Sequence, residues 1–481
     1  MDTYSAGEVT DNWSPRPVDQ SRFGTDPQSM IWQLRKDAFA IPPKEIAEIQ
    51  LTALRGRFEE LVQKIPVLKR LADEQGVTKI NRIEDGAQIL FKHSVYKSYP
   101  FSLIEKNRFD RLTAWLDNLT VYDLSGLDAS RIETIDDWLD MLYRDAPIRI
   151  IHSTGTSGKL SFLPRGKIEC DLNSRSFVLG FEWDTPLEGL EDIPMIVPQH
   201  RHGFSAYNAV QDAVVKFRFH GDESMLYALF PGRFSADILS LGGRLKAAES
   251  KGSLGRDAIS PVLLARRDQF IKEQASAPEQ RREFFRNITQ KLRGRRVSMT
   301  GNWTMLYELS VEGLAAGSEG VFAPDSLLVT AGGTKGKVLP PDHKEVTKRF
   351  LGIDKFVEGY GMSETVGGLF QKCEHGHYHA PPHYVLYLLD PATGEPYPRT
   401  GTQTGRLGII DLLAGTYWAG LLTGDEVTLT WDQPCPCGRT GAYLGSGIRR
   451  FSEKEGGDDK ITCAGAPEAH DNALAFLSDF E

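Results

Sequence analysis

Four short segments carry the glycine, hydroxyl and charged residues that phosphate chemistry needs. The first is His152-Ser-Thr-Gly-Thr-Ser-Gly-Lys159, directly after the apolar run Ile148 to Ile151. Small hydroxyl and glycine residues at Ser153, Thr154, Gly155, Thr156, Ser157 and Gly158 let backbone N–H groups close around an anion, and Lys159 can neutralise phosphate charge. The segment is not a Walker A sequence, and standing alone it would read as a Ser/Gly-rich surface turn. The others are Thr330-Ala-Gly-Gly-Thr334, Gly359-Tyr-Gly-Met-Ser-Glu364 and Thr423-Gly-Asp425. In isolation Glu364 is equally a carboxylate at a helix N-terminus, and Asp425 a turn residue.

A second chemistry is written in sulfur and imidazole. Cys373-Glu-His-Gly-His-Tyr-His379 and Cys435-Pro-Cys437 supply two ligand pairs that a strand pair could bring together. Thiolates plus imidazole in a fourfold set select zinc and leave no open coordination position, so the expectation is a structural zinc site of Cys373, His379, Cys435 and Cys437. His375 and His377 are alternatives to His379, and free buried thiols are the competing reading. Cys463 lies close in sequence to Lys460, a cation that could lower a thiol pKa and make it a nucleophile; Asp458 and Asp459 oppose that, and a small buried cysteine is the plainer role.

Elements must position these residues. Short apolar runs at 148–151, 195–197, 327–330, 356–359, 384–389 and 407–413 read as buried strands, most of them separated by helical segments. Alternation of that kind predicts an α/β fold, with the last two runs as an antiparallel appendage. From Pro42 to Leu68 apolar residues recur at helical spacing. The organisation expected is a flexible arm over 1–30, a mainly helical segment over 31–146, an α/β core over 147–370, a β-rich appendage over 371–450 and a hinge-like tail over 451–481. A chain of 481 residues with 40% apolar and 25% charged residues can bury a large core. A net charge of -9 argues against a nucleic-acid partner. The absence of a long apolar span or an N-terminal leader pattern predicts a cytoplasmic protein without a membrane partner.

In order and separation the four phosphate-type segments resemble the core motifs of the adenylate-forming superfamily of acyl-CoA synthetases, peptide-synthetase adenylation domains and luciferases. Gly158-Lys159, Cys435-Pro-Cys-Gly-Arg-Thr440 and Asp390-Pro-Ala-Thr-Gly-Glu395 look most like the phenylacetate-CoA ligase and acyl-protein synthetase branch. The resemblance runs from about Glu45 to Phe476. It implies an ATP-dependent ligase that converts a small carboxylic acid to an acyl-adenylate and pyrophosphate. The acyl group then passes to a thiol of this or a partner protein, or to CoA or an amine; a non-catalytic nucleotide-binding subunit is the alternative from another class. It further implies that Ser153 to Lys159 form the phosphate loop, that Gly332, Gly333 and Thr334 border the adenine, and that Tyr360 lies against the base. Gly361 and Arg450 join the nucleotide set, Ser363 and Glu364 face the α-phosphate and its Mg²⁺, and Asp425 holds the ribose hydroxyls. His200-Arg-His-Gly-Phe204 resembles the segment that gates the acid pocket, which implies that His202, Gly203 and Phe204 line that pocket. Members of the superfamily usually continue into a small mobile domain that supplies a lysine. Here that position has no match, which leaves Lys159 or Lys460 to substitute and Cys463 in a place matching the acceptor cysteine of acyl-protein synthetases. A homodimer would fit a chain of this type.

Overall fold

The computed structural model describes residues 20–30, 36–153, 159–167, 169–173, 190–250, 267–331, 338–354 and 356–453. Of the expected site residues, Thr154, Gly155, Thr156, Ser157, Gly158, Gly332, Gly333, Thr334, Lys460 and Cys463 lie outside these.

The N-terminal part is helical. Helix α1 (Pro43–Leu61) opens on a proline, whose missing N–H costs nothing in the first turn, and buries Ala53, Leu54, Phe58 and Leu61 along one stripe. The periodic run to Leu68 does not make a single helix. Pro66 can neither donate to nor sit beside the preceding turn, and it starts α2 (Pro66–Gln75), which Gly76 ends in the left-handed conformation. Residues 20–30 belong to the stretch expected as a flexible or loosely docked arm. They form two short helices whose Phe23 is buried in the main core, and Gln28 donates to the Leu413 carbonyl at 2.8 Å. The polar composition of the arm hid that one aromatic anchor.

Strand β1 (Phe91–Lys92) leads through α3 (Phe109–Asp117) and α4 (Ile135–Asp145) to an antiparallel hairpin of β2 (Ile148–Ser153) and β3 (Ser161–Gly166). The central sheet follows with β4 (Met195–His202), β5 (Leu226–Arg233), β6 (Ser298–Gly301), β7 (Leu327–Ala331) and β8 (Phe356–Tyr360), all parallel and ordered β5-β4-β6-β7-β8. Between them run α5 (Ala206–Ala213), α6 (Ala236–Ser250), α7 (Arg267–Arg286), α8 (Trp303–Ala315) and α9 (His343–Leu351).

Beyond β8 the sheet turns antiparallel. Strands β9 (Phe370–Lys372), β10 (Tyr378–His379), β11 (Tyr384–Leu389), β12 (Thr402–Asp411), β13 (Gly420–Thr430), β14 (Tyr443–Leu444) and β15 (Arg449–Arg450) are hydrogen-bonded into the same 13-stranded sheet. The fold is thus mixed α/β, and its strand-rich C-terminal part is continuous with the parallel core through the β8–β9 pair. Among the described residues no helix is long and apolar enough to cross a membrane.

Strand order decides where a ligand can sit. Starting from β4 the chain steps first to β5 on one side and then to β6, β7 and β8 on the other, so a crevice opens beyond the C-terminal ends of β4 and β6. The gate-like residues end β4, the 332–337 segment follows β7 and the Glu364 turn follows β8. The hairpin is tied to the same edge: the His152 N–H donates to the Phe204 carbonyl at 3.0 Å, so Ser153 and the loop after it start there.

Candidate active site

Tyr360 and Asp425 form its centre. Tyr360 ends β8 and Asp425 lies within β13, strands that are not hydrogen-bonded neighbours, yet the sheet curls far enough for the Tyr360 hydroxyl to donate to Asp425 Oδ2 at 2.7 Å. The Asp425 N–H is held by Thr423 Oγ1 at 3.1 Å, and that hydroxyl donates to the Leu407 carbonyl at 2.8 Å. Asp425 also faces Arg450 across the β13–β15 pair, with Arg450 Nε 3.8 Å from its other oxygen. Burial, followed by the Asp425 charge, pushes the Tyr360 phenol well above its usual pKa, so it stays a neutral donor.

Glu364 stands in the turn after β8, past Gly361 and Ser363, with only 7% of its surface exposed. Burial raises its pKa, while its own N–H and the charges of Arg450, Lys97 and Arg165 pull the other way. Among the described residues no cationic nitrogen reaches ion-pair distance of this carboxylate. A buried carboxylate lacking a direct cation is costly unless a ligand brings one, and a hard oxygen donor suits Mg²⁺. Lys159, at the far end of the hairpin loop, is half-buried with Nζ 4.8 Å above the Tyr99 ring. Burial and then the Lys97 charge lower its pKa. Lys97 was not legible as a site residue, because nothing around it in Val95-Tyr-Lys97 forms a motif.

The gate-like segment divides. His202 is exposed at the end of β4. Gly203 takes a φ of 142°, and a Cβ there would come within 2.7 Å of Asn208 Oδ1. Phe204 is buried in the cluster with α4, its ring 5.6 Å from the Arg149 guanidinium and 5.1 Å from that of Arg233. His200, the first residue of that segment, packs on Phe230 and Phe234.

His152, immediately before the phosphate-type loop, is fully buried and has no hydrogen-bond partner on either ring nitrogen among the described residues. Burial pushes its pKa down to about 4. Between pH 6.5 and 4 the unfolded chain therefore binds a proton here that the folded chain does not, so stability falls as the pH is lowered through that window. Urea denaturation at pH 6.5 and pH 5 should show His152→Phe losing about 1.5 kcal/mol less than the wild type. An identical loss would contradict a neutral buried imidazole.

The cysteine cluster assembles from two matching turns. In Cys373-Glu-His-Gly376 and Cys435-Pro-Cys-Gly438 the glycine N–H donates back to the first cysteine's carbonyl, at 2.9 and 3.0 Å, and both glycines have positive φ. The ligand atoms of Cys373, His379, Cys435 and Cys437 all lie within 4.8 Å of one another. Cys373 Sγ is 3.8 Å from Cys435 Sγ, and Cys437 Sγ 3.4 Å from His379 Nε2. Metal bonds of ~2.3 Å to sulfur and ~2.0 Å to nitrogen give tetrahedral edges of roughly 3.8 and 3.5 Å, which these two distances match, so the four side chains are grouped closely enough to hold a metal ion. His377 Nδ1 lies 3.2 Å from Cys435 Sγ while its ring stacks on Tyr443; His375 is exposed beside Glu374.

No protein-family model matches the chain, and no curated protein does. Solved structures with a similar chain trace include an open conformation of 2-hydroxyisobutyryl-CoA ligase in complex with 2-HIB-AMP and CoA, at 15% identity and a TM-score of 0.45, over 88% of this chain and 79% of that one. ATP-bound MatB from Rhodopseudomonas palustris matches at 15% identity and a TM-score of 0.33, over 71% of this chain and 55% of that one. The luciferase-like enzyme from the nonluminescent Zophobas morio mealworm matches at 14% identity and 0.33, over 64% and 58%. Identities and TM-scores this low leave the functional reading to rest on the residues described above.

Proposed function

We propose that the chain is an adenylate-forming ligase: it joins a carboxylic acid to the α-phosphate of ATP, releases pyrophosphate and passes the acyl group to a thiol. The observation that carries this reading is the Tyr360–Asp425 hydrogen bond beside the Glu364 turn. It unites two motifs 65 residues apart at the C-terminal edge of a parallel sheet, where nucleotides bind. With one oxygen engaged by Tyr360 and the other near Arg450, Asp425 keeps lone pairs for the two ribose hydroxyls. The acid's carboxylate oxygen attacks the α-phosphorus, the bond to the β,γ-phosphate oxygen breaks, and pyrophosphate carries away that electron pair. The negative charge of this step is met by Lys159 and by any N–H groups of the hairpin loop that face it. Glu364 would hold Mg²⁺, which when bound neutralises phosphate charge. The solved 2-hydroxyisobutyryl-CoA ligase carries both an acyl-AMP and CoA, and CoA is the first alternative acceptor for this chain.

We also assign a structural zinc ion to Cys373, His379, Cys435 and Cys437, whose closed set leaves no position for catalysis. Exchange of labelled pyrophosphate into ATP, with Mg²⁺ and a panel of aryl, fatty, hydroxy and amino acids, tests the reaction. Exchange that depends on one class of acid supports it and names that class. ATP binding without exchange across the panel overturns it in favour of a non-catalytic nucleotide-binding subunit.

A further inference from the structure

We infer that Arg165, Tyr417 and Asp411 are positioning residues that hold the Glu364 turn as a preformed cation mount; this rests on the adenylation reading above. The turn has no regular structure, so its buried backbone groups need partners from elsewhere. Side chains supply them almost one by one. Arg165 Nη2, from β3, donates to the carbonyls of Ser363 at 2.8 Å and Thr365 at 2.6 Å. The Tyr417 hydroxyl donates to the carbonyl of Glu364 itself at 2.9 Å. Asp411 Oδ2, at the end of β12, accepts from the N–H groups of Val366 at 2.7 Å and Gly367 at 2.8 Å, while Oδ1 accepts from Leu413 at 3.0 Å. Arg165, Tyr417 and Asp411 are themselves buried.

Three consecutive carbonyls and the next two N–H groups are thus fixed by side chains from elsewhere in the chain. The consequence falls on the Glu364 carboxylate, which among the described residues has no cation at ion-pair distance. A buried carboxylate with no direct cation would lower its energy by swinging toward water, and a backbone pinned on both sides of residue 364 opposes that movement. Holding an unfavourable charge in place before the ligand arrives is what a cation site must do to avoid reorganising when it binds. Backbone satisfaction alone would have been met as well by an apolar residue at position 364.

The test uses Mn²⁺ as the probe, its free concentration followed by electron paramagnetic resonance with full-length protein and α,β-methylene-ATP. Tyr417→Phe removes one hydroxyl and should weaken Mn²⁺ binding about tenfold, the worth of one buried hydrogen bond. Its melting temperature should fall no further than that of Tyr387→Phe, which loses a comparable buried bond to the Ile83 carbonyl far from the turn. Tyr387→Phe should bind Mn²⁺ as the wild type does. Arg165→Lys keeps the charge but not the paired bond, and should shift binding the same way. Unchanged Mn²⁺ affinity in Tyr417→Phe, or equal weakening in Tyr387→Phe, would overturn the positioning role while leaving adenylation intact. Failure of the wild type to bind Mn²⁺ with the nucleotide would instead bring down the adenylation reading, and this inference with it.

Discussion

Replacing Glu364 by glutamine should lower acid-dependent pyrophosphate exchange by about 1,000-fold, roughly 4 kcal/mol of transition-state stabilisation, without unfolding the protein. Glutamine keeps the shape of the side chain and removes only the charge. Burial is the main force on this carboxyl, raising its pKa, so the neutral amide relieves a desolvation cost that the native residue bears. The melting temperature of Glu364→Gln should therefore equal or exceed that of the wild type. Loss of activity with retained or increased stability separates a cation-holding carboxylate from a merely structural one. Activity within threefold of wild type would show that the charge at position 364 serves some other end.

The second large effect concerns the metal. Cys435→Ser should abolish stoichiometric zinc, measured by inductively coupled plasma mass spectrometry, and lower the melting temperature by about 5–10 °C. The reason is topological. Cys373 follows β9, and β9 pairs with β8 at Tyr360 itself, where Phe370 meets the Tyr360 ring edge-on at 5.7 Å. Cys435 and Cys437 stand in the chain between β13 and β14, and Arg439 donates to both Cys437 Sγ and Gln371 Oε1. A metal here would clip the β9–β10 hairpin to the β13–β14 connection, so its removal should also weaken nucleotide binding. Wild-type protein that purifies without zinc and melts with Cys435→Ser would contradict the assignment.

How much of this could be read from the sequence follows from what each signal depends on. Strands β7, β8 and β11 were visible because short apolar runs bounded by turn residues are local facts. Their order was not, because the step from β4 to β5 and back to β6 is decided by which helix covers which face. The phosphate-type segments were legible as composition, whereas the contact of Tyr360 with Asp425 required the curl of a whole sheet. Residues that hold the site from behind left a fainter trace. Arg165 closes the run Phe162-Leu-Pro164, and Asp411 interrupts Leu407 to Leu413. A charge embedded in an apolar run is the signal that could have found both, since burial there demands a dedicated partner. The cysteine pairs and the first choice of His379 were readable, but setting His375 aside needed the β9–β10 register, which leaves it at the exposed hairpin tip.

The most direct measurement of the central claim follows an oxygen atom. An acid active in the exchange assay is labelled with ¹⁸O in its carboxylate and incubated with the protein, ATP, Mg²⁺ and hydroxylamine as a surrogate acceptor; the nucleotide products are then weighed by mass spectrometry. If the carboxylate attacks the α-phosphorus and the acyl C–O bond breaks on transfer, one ¹⁸O must leave with AMP, alongside unlabelled pyrophosphate and an acyl hydroxamate. Label in inorganic phosphate with ADP as the product, or AMP formed without label, would contradict an acyl-adenylate and the account built on it.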